Sequence, residues 1–354
     1  MAYLDYDATG ILGIAAALPR KVIDNQAYTD YFPAEDVAEI VEKIGVKQRR
    51  FADAGTCASD LCFAAAVKLI ADMQVDRSEI DLLLFISQTP DYRMPATSII
   101  LQHRLGLADT TIAFDISIGC SGFLYGLSVA YALLQQKGLR KALVLDGETR
   151  SKVYSPKDRK TAFLFGDAGV AALIGKDDRF GRSFYSIHSD GSREGLIKIN
   201  AGGYRNPSSP ETLKEQVVDE YGNIRNEEQG YMNGGDVFNF LIREVPKDVK
   251  GLLEYSGFDQ SAVDYFVFHQ ANSYMNGYLV KKLKLDPAKV PMSIEKFGNT
   301  SSVSIPLTMV SELKEQLAGR KTLLLCGFGV GLSWATALLN MDGCHVSEIV
   351  EVSA

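Results

Sequence analysis

Three residues in this chain have the type and setting to do chemistry together: Cys120, His269 and Asn299. Cys120 follows Ile116-Ser117-Ile118-Gly119 and precedes a run, Gly122 to about Gln135, that is apolar on almost every face of a helix. Such a helix must be buried, which sets Cys120 at the N-terminal end of a buried dipole. Unpaired amides and the positive dipole end favour the thiolate, the nucleophilic form of cysteine. Gly119, Ser121 and Gly122 are small and leave room for a group bound to the sulfur. The same local pattern also suits a cysteine that is only a small buried hydrophobe. His269 ends the strand-like run Tyr265-Phe-Val-Phe268 and is followed by Gln270, Ala271 and Asn272. A polar cluster at the exit of an apolar strand is a frequent site position, with a satisfied core histidine as the alternative. Asn299 lies in Phe297-Gly-Asn-Thr-Ser-Ser-Val-Ser-Ile-Pro306, whose small residues allow close backbone approach, and taken alone it reads equally as a turn or helix cap.

The other candidates are weaker. His103 falls in an amphipathic helix, His188 in a Ser/Asp/Gly-rich turn and His345 near the end of the chain, and all three read as structural or solvated. Gly327-Phe-Gly-Val-Gly331 follows the strand Leu323 to Leu325 and runs on into what reads as another strand. A dinucleotide site needs GxGxxG opening a helix in a first βαβ unit, so a tight turn presenting amides to an oxyanion fits better.

The elements that must position these residues alternate between strand and helix, the pattern of an α/β protein. They also repeat. A helix from Asp60 to about Ala71, then VDRSEID and the buried-strand run Leu82 to Ser87, matches a helix holding Val249, Leu252 and Leu253, then FDQSAVD and Tyr265 to Gln270. Asp81 falls on Asp264, a shift of 264 − 81 = 183. Arg140-Lys141-Ala-Leu-Val-Leu-Asp-Gly147 matches Arg320-Lys321-Thr-Leu-Leu-Leu-Cys-Gly327 at a shift of 320 − 140 = 180. Two matches in order at nearly one shift indicate a duplicated chain. The halves are expected at 1–178 and 179–354, the second opening with a connection and insertions to about 237. The shift of 180 lays Gly119-Cys120-Ser121 on Asn299-Thr300-Ser301, so a pseudo-twofold would bring these turns to face each other at one crevice.

Composition narrows the class. Of 354 residues, 46% are hydrophobic and 23% charged, ordinary for a globular protein with a filled core. A net charge of −7 argues against nucleic acid as a partner. No run of about 18 apolar residues predicts a membrane span, and MAYLDYDATG has no basic region of a secretory signal. The five cysteines form no CxxC pair and no metal-ligand spacing, so no metal is expected and reduced thiols in a cytoplasm are the economical reading.

Taken together, the segments Gly119-Cys-Ser-Gly-Phe123, Phe165-Gly-Asp-Ala-Gly169, His188-Ser-Asp-Gly191, His269-Gln-Ala-Asn272, Gly298-Asn-Thr-Ser301 and Gly327-Phe-Gly329 resemble the β-ketoacyl-acyl-carrier-protein synthase III group of the thiolase superfamily. The resemblance implies a duplicated thiolase-like fold, a five-layer αβαβα arrangement with two mixed sheets. It implies decarboxylative condensation of a Cys120-bound acyl group with malonyl-acyl-carrier protein, giving a 3-oxoacyl-acyl-carrier protein in fatty acid or specialised lipid or polyketide synthesis. His269 and Asn299 would stabilise the enolate, and backbone amides of Cys120, Gly329 and Val330 would hold the oxyanion. Phe328 would lie beside the acyl chain, and Met94 would reach across a homodimer into the partner's pocket. Phe238, Asn272, Arg159 and Lys43 fall at positions that bind substrate. The substrates are acyl thioesters, of coenzyme A or acyl-carrier protein, with no separate cofactor. The chain departs from the group at the coenzyme A entrance: Glu39 and Lys43 stand where a Trp and an Arg are usual, Tyr274 where another Arg is frequent, and the pantetheine-binding Asn is displaced in Met232-Asn-Gly-Gly-Asp-Val-Phe238. Lysine does not stack on a base as arginine does, so acetyl-coenzyme A priming is not expected to be the best activity. Two other readings stay open, an acyltransferase acting on an alcohol or amine without decarboxylation and a non-catalytic partner subunit.

Overall fold

A computed structural model describes residues 2–353. Its core strands are β1 (Ala2–Asp7), β2 (Thr9–Pro19), β3 (Ile80–Ile86), β4 (Ile112–Ile116), β5 (Lys141–Thr149), β6 (Asp167–Lys176), β7 (Arg182–Ser189), β8 (Tyr265–Phe268), β9 (Lys321–Gly329), β10 (Ser333–Met341), β11 (His345–Val346) and β12 (Val350–Val352). One sheet has the order β11-β2-β6-β5-β3-β4, with β12 also on β2, and the other β1-β7-β10-β9-β8. The two share a plan. In the first, β3 and β5 are parallel, β5 and β6 antiparallel, and β6 and β2 antiparallel. In the second, β8 and β9, β9 and β10, and β10 and β7 repeat those relations. The repeated aspartates do the same work: Asp81 accepts from Arg140 N at 2.6 Å and Asp264 from Thr322 N at 2.8 Å, each tying the start of its neighbouring strand.

Both faces of each sheet are covered, which is why the central strands read as unbroken apolar runs. In β3, Leu82, Leu84 and Ile86 face the layer between the sheets, while Leu83 and Phe85 face outward. The first helix, α1 (Ala34–Ile44), packs on Phe163, and the outer layer on the Leu83 side is α2 (Ala58–Asp72) and α3 (Thr97–Arg104). Between the sheets lie α4 (Gly122–Leu134) and, from the second half, the helix Ser304–Glu312. The long helix Gly234–Ser256 and the helix Ser273–Leu283 cover the far face. This is the five-layer α/β arrangement.

Two features differ from the sequence reading. The region after Asp177 is not all connection, because β7 is an internal strand of the second sheet and occupies the place that β2 has in the first. Ser and His in SFYSIHS hid its alternation; every residue from Ser183 to Ser186 is buried. His188 therefore sits in a strand rather than a turn, its ring stacked on Trp334 and its Nε2 at 2.8 Å from Asp248. The chain ends also cross the proposed 178/179 division: β1 joins the second sheet, and β11 and β12 join the first.

Candidate active site

The crevice between the halves holds a cavity of about 550 Å³, and Cys120, His269 and Asn299 all line it. Cys120 and His269 arrive on the C-terminal side of a strand, whereas Asn299 follows the short helix Ile294–Phe297. Cys120 follows β4 and sits just before α4, and His269 follows β8, where its backbone N–H donates to Cys326 O at 2.8 Å. Asn299 is held by the other half of the molecule. Its N–H donates to Leu164 O at 2.8 Å, and its carbonyl accepts from Gly166 N at 3.1 Å. The Phe-Gly-Asp-Ala-Gly segment thus acts as a clamp on the Asn-containing turn.

The clamp leaves no room for side chains. At Gly298 the backbone has φ +67°, and a Cβ would come within 2.6 Å of Leu164 O. Replacing Gly298 with alanine is expected to cost roughly 2 kcal/mol or more from backbone strain and overlap. Thermal unfolding should show the loss as a lower Tm; an unchanged Tm would remove the clamp argument.

Hydrogen bonds orient both side chains. Asn299 Oδ1 accepts from Ser301 N–H at 2.9 Å, which turns Nδ2 the other way, toward Ala271 O at 3.3 Å. One Nδ2 hydrogen then remains for a ligand in the cavity. His269 Nδ1 lies 2.7 Å from Ser304 Oγ, which also accepts from Gln270 N–H at 3.1 Å. The arrangement that uses the Ser304 proton gives it to Nδ1, so the network assigns the N–H of a neutral ring to Nε2. Phe328 packs edge-on to this ring, centroids 5.4 Å apart, and lines the cavity.

Cys120 is the one unusual thiol. Burial works to raise its pKa, but attraction to His269, the hydrogen bond from that ring, the charge of Arg150 and a backbone hydrogen bond from Val330 together bring it down to about 7. Burial pushes the other interior thiols, Cys62, Cys326 and Cys344, upward. Gly329 explains how the Val330 amide gets so close: a Cβ there would lie 2.6 Å from the Cys120 sulfur. Gly329 and Val330 therefore present backbone directly to the sulfur, where an oxyanion would form.

The remaining substrate positions separate. Asn272 lines the cavity, but its side chain caps the helix Ser273–Leu283 by accepting from Met275 N at 2.8 Å. Phe238 is not among the lining residues and packs on Tyr274 and Tyr278, its neighbour Val237 taking the cavity position. Lys43 and Arg159 do come together, in a separate shallow cleft with Asp36 and Glu39, where Arg159 pairs with Asp36 at 3.4 Å. Met94 is 78% exposed and lies outside the cavity of its own chain.

Comparison with known proteins agrees with this architecture. Residues 114–191 match the family described as 3-oxoacyl-[acyl-carrier-protein (ACP)] synthase III, and residues 253–341 match its C-terminal domain. A relative from Clostridioides difficile named β-ketoacyl-[acyl-carrier-protein] synthase III is 35% identical over 332 residues, 94% of this chain and 98% of that protein. The chain belongs to the β-ketoacyl-acyl-carrier-protein synthase III family. A crystal structure of a 3-oxoacyl-(acyl-carrier protein) synthase from Burkholderia xenovorans superposes with a TM-score of 0.93 at 37% identity, covering 99% of both chains. The priming β-ketosynthase of the R1128 polyketide pathway gives 0.80 at 29% identity, over 96% of this chain and 98% of that one.

Within this synthase III site, sequence reasoning missed Gln88, Arg150, Ser301 and Ser304. Gln88 and Arg150 follow the C-terminal ends of β3 and β5, the edge where α/β folds build sites. That position was the available signal. Nothing in the sequence marked Ser304, whose role depends on the approach of β8 to the Ser304–Glu312 helix.

Proposed function

We propose that this synthase loads an acyl group from a thioester onto Cys120 and condenses it with malonyl-acyl-carrier protein. What carries the proposal is the convergence of a low-pKa thiol with two oriented donors, on chain segments about 150 to 180 residues apart in sequence. In the first half-reaction the Cys120 thiolate attacks the thioester carbonyl, the amides of Cys120 and Val330 hold the oxyanion, and the carrier thiol leaves. In the second, Nε2–H of His269 and Nδ2–H of Asn299 donate to the carbonyl of the malonyl thioester. Carbon dioxide departs, the electron pair becomes an enolate held by those donors, and the enolate carbon attacks the acyl-Cys120 carbonyl. The Cys120 thiolate leaves, and a 3-oxoacyl-acyl-carrier protein is released.

The acyl donor is proposed to be other than acetyl-coenzyme A. Lys43, Arg159 and Lys160 share their cleft with Asp36 and Glu39, and Arg159 is already paired with Asp36 and Lys160 with Asp219, so an adenosine phosphate there would compete with carboxylates for two of the three cations. Purified enzyme given malonyl-acyl-carrier protein and a series of acyl thioesters should release one carbon dioxide per 3-oxoacyl product, with carrier-bound donors faster than acetyl-coenzyme A. Acyl transfer without carbon dioxide would refute the condensation; acetyl-coenzyme A as the fastest donor would refute the donor assignment.

A second copy of the chain is the proposed partner. β4 forms the open edge of its sheet, with Ile112 44% exposed, and Ile99 on the adjacent helix α3 is also exposed. An apolar, unpaired edge is a template for strand pairing. Light scattering is expected to give twice the 38.7 kDa of one chain, and an aspartate at Ile112 should shift it toward the monomer. A wild-type monomer would exclude this pairing.

A further inference from the structure

One side of the cavity next to Cys120 carries a polar cluster. Arg150, only 6% exposed, lines it just beyond the end of β5. The two hydrogens of its Nη2 are shared among Gln88 Oε1 at 2.7 Å, Ser301 Oγ at 2.9 Å and Glu148 Oε1 at 3.2 Å, one of them bifurcated. Glu148 is fully buried and also accepts from Gln88 N at 3.1 Å and Thr89 Oγ1 at 2.9 Å. Ser301 is held at φ +57°, a conformation uncommon for serine, to reach this cluster. Gln88 lies against the residue before the nucleophile, since a Cβ on Gly119 would fall 2.6 Å from Gln88 Oε1.

The acceptors in this cluster are used within the protein, and donors are left over. Arg150 Nε is enclosed and has no acceptor, so the donors that can meet a ligand are Nη1 and Gln88 Nε2, which no hydrogen bond uses among the described residues. Arg150 and Gln88 both line the cavity, so these free N–H groups stand where a bound group can accept from them.

We propose that the acyl group loaded on Cys120 carries an acceptor oxygen along its chain, bound by Arg150 and Gln88. Carboxylate, hydroxyl and oxo groups all supply that chemistry. The carboxylate of the malonyl unit is a poorer occupant, because gripping it would stabilise the ground state that must lose carbon dioxide. An all-carbon chain would dehydrate the donors without pairing them, a loss of roughly tenfold or more in loading. The inference rests on Cys120 being the acyl carrier, and it names the class of acyl group that site takes.

The test uses N-acetylcysteamine thioesters, so that carrier recognition plays no part, with the rate of mass gain on Cys120 followed in the intact chain. Butyryl, succinyl, 3-hydroxybutyryl and 3-oxobutyryl thioesters are compared. At least one oxygenated group is expected to load roughly tenfold or more faster than butyryl; succinyl leading identifies a carboxylate, either of the others a neutral oxygen. Gln88→Leu leaves the Arg150–Glu148 pair intact and should reduce the ratio. Arg150→Leu combined with Glu148→Gln avoids stranding a buried carboxylate and should abolish the preference; because the charge of Arg150 also lowers the Cys120 pKa, all four thioesters should load more slowly, and the ratio between them is the readout. Butyryl loading as fast as the other three in the wild type, or a preference that survives both variants, overturns the inference and leaves the proposed function standing. Failure of every thioester to load Cys120 overturns both.

Discussion

Replacing His269 with alanine is expected to raise the pH at which Cys120 becomes reactive. In the wild type, alkylation of Cys120 by iodoacetamide, read as intact mass, should rise through about pH 7, where its pKa lies. The sign follows from the contributions. Burial favours the neutral thiol, and attraction and hydrogen bonding from His269 are the largest opposing effects, ahead of Arg150 and the Val330 amide. A depressed thiol pKa means thiolate above about pH 7 and thiol below it. Without the ring, burial faces only Arg150 and Val330, and the pKa moves up. A return to an ordinary thiol value of about 8.5 would cut the thiolate fraction at neutral pH by roughly 16-fold, offset in part because a more basic thiolate is a stronger nucleophile. Cys62 and Cys326, fully buried with raised pKa values, should stay unlabelled and serve as internal controls. A wild-type midpoint near pH 9, or an unchanged profile in the variant, would refute the coupling.

How much of this was legible beforehand follows from what each residue's role depends on. The apolar helix after Cys120, the strand before His269 and the repeat at shifts of 183 and 180 are local or periodic features, and the structure reproduces each. The facing turns follow from the repeat, because duplicated elements related by a pseudo-twofold must meet at equivalent points. β7 was illegible because its serines are buried through hydrogen bonds made elsewhere, such as Ser186 to Asp248 at 2.5 Å, and polar residues satisfied at long range look like a turn in sequence. The same holds for Arg150. A charged residue beyond a strand end has no local mark of burial, and its partners Gln88 and Ser301 lie 62 and 151 positions away. Phe238 was misassigned by one position: on a helix, neighbouring residues point about 100° apart, so Val237 faces the cavity and Phe238 the tyrosines.

Asn299 should separate the two half-reactions. Its carbonyl is committed to Ser301 N–H, and its amide is the only part of the side chain left to face substrate. Asn299→Ala removes that donor from the enolate carbonyl while leaving Cys120, His269 and the Val330 amide in place. Acylation of Cys120, followed by mass, should continue at close to the wild-type rate. Carbon dioxide release from malonyl-acyl-carrier protein should fall by roughly 10²- to 10³-fold, the cost of one lost oxyanion donor, about 3 kcal/mol. Asn299→Asp should be worse despite its equal size. One carboxylate oxygen still accepts from Ser301 N–H, but the other meets Ala271 O at the distance of a former hydrogen bond, and its negative charge opposes the developing enolate. The order wild type, alanine, aspartate in decarboxylation, with acylation nearly level between the first two, is what an amide acting as a donor requires. Parallel loss of both half-reactions in the alanine variant would make Asn299 a structural residue of the turn, and carbon dioxide release unaffected by either substitution would remove it from the chemistry.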